Sequence, residues 1–95
     1  MSHATIHRSF PGRTADEIYE KVDQAMEDIA QQFSLHYHRD GDKRAGKVSK
    51  MGVHGVYSVH NEAVTVELKF PMMVPHSMRQ KVQVKIEQHL DRLFG

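Results

Sequence analysis

The sequence predicts an α+β fold in the order β-α-β-β-β-α, an antiparallel sheet with two amphipathic helices packed on one face. Three observations lead there. Ile18, Val22, Ala25, Met26, Ile29, Ala30 and Phe33 recur at three- and four-residue steps, the period of a helix with a single apolar stripe. Val64, Val66, Leu68 and Phe70 alternate with Thr65, Glu67 and Lys69, the period of a strand buried on one side. Between the two helical stretches, strand-like runs follow one another with only turn signals to separate them, which argues antiparallel pairing rather than a crossover sheet.

Taken in order, Ala4 to Phe10 reads as an edge strand stopped by Pro11-Gly12. Thr14 is placed to cap the first helix, and Glu17 three residues later completes a capping box. Acids in the first turn also suit the positive end of the helix dipole. Leu35 to Arg39 alternates, with Leu35 and Tyr37 on one face and His36 and His38 on the other, and Asp40-Gly41-Asp42 is a turn signal. The polar stretch Lys43 to Met51 fits a twisted, exposed strand through Gly46 and Val48, ended by Gly52. Val53 to His60 and Ala63 to Phe70 form strands joined at Asn61-Glu62. Ser77 is expected to cap a last helix with Met78, Val82, Ile86, Leu90, Leu93 and Phe94 on one side and Lys81, Lys85 and Arg92 on the other. The sheet face away from the helices then stays polar, carrying His36, His38, Thr65, Glu67 and Lys69. With free edges, that face makes self-association, for instance as a homodimer, a further expectation.

A chain of 95 residues, 39% hydrophobic and 26% charged, is expected to form a single domain over residues 1–95. Such a chain buries roughly 60–68% of the surface its unfolded form exposes, enough for one modest core. The absence of cysteine excludes disulfides, thiolate metal sites and a cysteine nucleophile, and fits a cytoplasmic location. No apolar run reaches the roughly 18–20 residues of a transmembrane helix, and the first ten residues lack the apolar region of a signal peptide. The net charge of +1 conceals an acidic stretch, Asp16, Glu17, Glu20, Asp23, Glu27 and Asp28, and a basic one, Arg39, Lys43, Arg44, Lys47 and Lys50. These read as two solvated faces, or as a means to steer an anionic partner or pair two copies head to tail.

Catalytic chemistry finds no footing. No serine lies in a Gly-x-Ser-x-Gly context, the carboxylates sit on a helix surface, and "GKVSKMGVHG" lacks the order of a phosphate loop. His36 and His38 project together from one strand, and His54 or His60 could approach them, yet no third ligand at metal-site spacing follows, so neither metal nor cofactor is expected. The basic hairpin lacks exposed aromatic partners for bases, so nucleic acid is not expected either. An enzyme is not predicted.

What stands out is "LKFPMMVPHSMRQKV", where Met72, Met73 and Val74 lie between two prolines in a connection that should be polar. Methionine suits adaptable apolar contacts. With Met78, Arg79, Lys81 and Lys85 close by, the segment has the composition of a foot that touches an apolar surface; the alternative is a plug that closes one end of the core.

The pieces "TIHRSF", "ADEIYEKVDQAMEDIAQQFSL", "HYHRDGD", "MGVHGVYSV", "AVTVELKF" and "KVQVKIEQHLDRLFG", spanning nearly the whole chain, resemble the polyhydroxyalkanoic acid system family. That resemblance implies a non-enzymatic role in the bacterial cytoplasm, at or near polyhydroxyalkanoate storage granules, with the granule surface or a granule protein as partner. It supplies no catalytic residues. The arrangement is also similar to a reduced helix-grip lipid-binding fold, which would make Tyr37, Tyr57 and Phe70 the lining of an apolar ligand cavity.

Overall fold

The computed structural model describes residues 2–95. Five strands, β1 (Ser2–Ser9), β2 (His36–Asp40), β3 (Ala45–Lys50), β4 (Val53–His60) and β5 (Ala63–Phe70), form one antiparallel sheet in the order β1-β5-β4-β3-β2. Two helices, α1 (Ala15–Phe33) and α2 (His76–Asp91), cover one face. The α+β class and the order β-α-β-β-β-α are those the periodicities predict. β1 and β2 are the two edges, so the chain leaves one edge, crosses the sheet as α1 and returns as a four-stranded meander.

The local causes are visible at the first helix. Thr14 accepts from the Glu17 amide at 3.1 Å while the Glu17 carboxylate accepts from the Thr14 amide at 3.2 Å, so two orphan N–H groups are satisfied reciprocally. These bonds lower the Glu17 pKa from its ordinary value, Thr14 being the main cause. Ile18, Val22, Met26 and Ile29 then bury against Ile6, Tyr57, Val59, Val64, Val66, Leu68 and Phe70 from the sheet and Ile86 and Leu90 from α2. At the far end Ser34 turns left-handed (φ 57°) and its N–H bonds back to Ala30 and Gln31, which ends α1 without a glycine.

Three expectations need correction. Ser77 does not cap α2: Pro75 occupies that position with no side-chain cap, and Ser77 lies inside the first turn. A proline there has no N–H to satisfy and its extended backbone starts the helix by geometry alone. Gly46 and Val48 are buried rather than exposed, because β3 is an inner strand between β2 and β4. The Tyr57 ring lies over Gly46, in space that a Cβ would occupy. Finally, the apolar side of α2 begins at Val82; Met78 is 54% exposed.

The two charge runs meet in part. Arg39 pairs with Asp23 and Glu27, each at 2.9 Å, and Arg44 pairs with Asp16 at 2.7 Å, so the basic hairpin closes over the acidic helix within one chain. Among the described residues Lys43, Lys47 and Lys50 of the basic run form no ion pair.

Candidate functional site

The register defines which loops meet. Ser2 lies opposite Phe70, Lys69 opposite His54, Val53 opposite Lys50, and Ser49 opposite His36. Hence the start of β1, the end of β5, the start of β4, the end of β3 and the start of β2 form one end of the sheet. Three connections emerge there: α1 to β2, the β3–β4 hairpin, and the segment Pro71 to Pro75 that leads into α2.

That last segment divides its apolar residues between two tasks. Val74 donates its N–H to the Pro71 carbonyl at 3.1 Å, and this tight turn packs Val74 against the core. The same turn throws Met72 and Met73 outward, 83% and 94% exposed. The plug reading therefore describes Val74 and Phe70, and not the two methionines.

A third methionine joins them. The β3–β4 hairpin turns through Met51 (φ 48°) and Gly52 (φ 89°), both left-handed, the geometry that matches the twist of two-residue hairpins. Met51 is 89% exposed as a result. Gly52 faces Pro71 so closely that an added Cβ would lie 3.4 Å from the Pro71 ring, so hairpin and connector sit side by side. Three nearly bare methionines thus project from one end of the molecule. Sequence reasoning missed Met51 because nothing local marks it; only the Gly52–Pro71 approach brings it to Met72 and Met73.

The cations predicted with this segment separate. Arg79 lies in the first turn of α2, half-buried, with its Nε lacking a hydrogen-bond partner among the described residues. Lys81 is exposed one turn further on. Lys85 lies away from the methionines, in a groove of about 310 Å³ between α1 and α2 with Lys21, Asp28, His89 and Arg92. Lys50, at the end of β3, donates to the Phe33 carbonyl at 3.3 Å and so caps the last turn of α1. Among the described residues none of Lys50, Arg79, Lys81 and Lys85 forms an ion pair, whereas Arg8, Arg13, Arg39 and Arg44 all do.

Tyr37, Tyr57 and Phe70, the alternative cavity lining, belong to packed structure. Phe70 is 1% and Tyr57 2% exposed. The Tyr37 hydroxyl donates to Asp23 at 2.5 Å and lies 2.6 Å from the Tyr57 hydroxyl, while Tyr19 stacks on the Tyr57 ring. Burial is the main cause that pushes both Tyr37 and Tyr57 well above the ordinary tyrosine range, and for Tyr37 the bond to Asp23 adds to it. Arg39, on the same Asp23 carboxylate, is raised chiefly by that bond. The hydroxyls of Tyr37 and Tyr57 are therefore tied to each other and to Asp23, which also accepts from Arg39. The groove between α1 and α2 is lined by none of these three residues.

The open sheet face holds more histidine than the sequence suggested. By register and alternation it carries His3 and His7 from β1, His36 and His38 from β2, and His54 and His60 from β4. His7 bonds Thr65 at 3.1 Å and His60 bonds Ser58 at 3.2 Å. Among the described residues no three histidine or carboxylate side chains converge to hold a metal ion. Among the described residues no helix is long and apolar enough to cross a membrane.

Comparison with known proteins adds two findings. A family model described as "Putative polyhydroxyalkanoic acid system protein" matches residues 5–94. Among solved structures, a TBP-like protein from Parabacteroides distasonis superposes with a TM-score of 0.52 at 12% identity, covering 70% of this chain and 52% of that one. At that identity the likeness is one of fold, and the chain spans about half the length of its counterpart. No curated protein matches the sequence.

Proposed function

The chain belongs to the polyhydroxyalkanoic acid system family, and on that premise we propose that it is a non-enzymatic cytoplasmic protein that seats its methionine end on the apolar surface of polyhydroxyalkanoate granules. The observation that carries this reading is the exposure of Met51, Met72 and Met73 on two touching loops at one end of the sheet. Exposed apolar side chains scattered singly are ordinary; three flexible thioethers at one tip form a small adaptable patch. Fully burying one methionine side chain stabilises by about 1.5–3 kcal/mol, so three together suffice for reversible adsorption without a spanning helix. The rest of the molecule is arranged to leave this end free: Val74 and Phe70 close the core beneath it, so the methionines are not needed for folding.

The test is partitioning onto polyhydroxyalkanoate particles. Met72→Ser/Met73→Ser, folded as the native chain by circular dichroism, is expected to lose about 3–6 kcal/mol of adsorption if both side chains enter the polymer. Undiminished adsorption by a normally folded variant would remove the proposal.

A further inference from the structure

The methionine end has a rim, and the register shows its composition. His36, Ser49, His54, Lys69 and His3 form one transverse row across the open face, the row next to the methionine loops. The next row is His38, Lys47, Val56, Glu67 and Thr5, and Glu67 is the only carboxylate in either. On the helix side the rim is continued by Lys50 and by His76 and Arg79 in the first turn of α2, which contains no acid. Exposed methionines are thus bordered on both faces by cations and histidines.

We propose that this end docks on a lipid layer with anionic headgroups, and that protonation of His3, His36 and His54 strengthens the docking. The proposal rests on the methionine-end reading above and adds the chemistry of the surface and its regulation. An apolar patch within a cationic border fits a surface whose interior is hydrocarbon and whose outer layer is negative, since each side of the border meets opposite charge while the methionines enter between headgroups. A bare polymer surface would use the methionines and leave the rim idle. The groups that face the three histidines are few. His3 has Lys69 beside it and Glu67 on the diagonal. His54 stands between Ser49 and Lys69, with Lys47 and Glu67 diagonal. His36 has Ser49 beside it, His38 along its strand and Lys47 diagonal. The row holds one lysine, Lys69, and three histidines, the side-chain type whose charge changes between about pH 5 and 8.

The experiment is co-sedimentation of the full chain with vesicles of phosphatidylcholine alone and of phosphatidylcholine with phosphatidylglycerol, at about pH 7.5 and about pH 5.5, alongside polyhydroxyalkanoate particles. The expected result is preference for the anionic vesicles and a rise of about tenfold or more on acidification, each near-surface cation contributing about fivefold. His3→Asn/His36→Asn/His54→Asn, folded as the native chain by circular dichroism, loses the rise. His7→Asn/His60→Asn, on rows farther from the methionines, retains it. Equal binding to both vesicle types, or an undiminished rise in the triple variant, overturns the proposal. Adsorption to polymer particles without preference for anionic vesicles removes the anionic rim and leaves the methionine-end reading standing; failure to bind either surface removes both.

Discussion

Gly46→Ala is the substitution whose cost the fold determines most closely. Gly46 of β3 pairs with Tyr57 of β4, and an added methyl would occupy the space of the Tyr57 ring at Cε2, Cζ and the hydroxyl. The ring end of a tyrosine often swings aside cheaply. Here it cannot, because Tyr57 is 2% exposed, stacked on Tyr19 and hydrogen-bonded to Tyr37. Overpacking a filled site costs about 1–3 kcal/mol, and a lost hydrogen bond adds about 1 kcal/mol. The sum, about 2–4 kcal/mol, is a large part of the roughly 5–15 kcal/mol of a small domain and corresponds to a fall in Tm of roughly 10–30 °C. Urea and thermal denaturation followed by circular dichroism would measure it. A double-mutant cycle sharpens the test, since in a Tyr57→Leu background the same Gly46→Ala change should cost about 0.5 kcal/mol or less. A Gly46→Ala protein as stable as the native chain, or an equal cost in both backgrounds, would refute the packing described.

Two further predictions address the tyrosine network and the connector. Tyr37 and Tyr57 are held above the ordinary tyrosine value, so the stability they contribute is fully present below about pH 10 and is lost as pH rises toward their folded values. Denaturation midpoints should therefore be flat from neutral to mildly alkaline pH and fall above about pH 10, with tyrosinate absorbance from these two residues appearing only with unfolding. Val74→Ser should cost about 1–2 kcal/mol through lost core packing, whereas Met72→Ser and Met73→Ser should each lie within about 0.5 kcal/mol of the native chain. The reverse order would make the methionines the plug.

Much of the fold is legible from local pattern. The bounds of β4 and β5 and the capped start of α1 follow from strict alternation and from Thr14 with Glu17, signals contained within a few residues. What was not legible is non-local. Burial of Gly46 depends on Tyr57 one strand away, and the exposure of Met78 depends on where α2 meets β1 and α1. The charge runs looked free until Arg39 and Arg44 found Asp23, Glu27 and Asp16 on a neighbouring element. The candidate site divides in the same way: Met72 and Met73 announce themselves between prolines, but Met51 and the row His36, His54 and His3 exist as neighbours only once the register is known.

The contact itself can be read by oxidising the methionines with peroxide, free and on polyhydroxyalkanoate particles, and locating the sulfoxides by mass spectrometry. In the free protein Met51, Met72 and Met73 should oxidise quickly and Met26, 2% exposed in the core, slowly. On the particles Met51, Met72 and Met73 should become protected together while Met26 stays as it was. Bound protein whose three methionines oxidise as fast as in solution would show that another surface makes the contact, and would contradict the account.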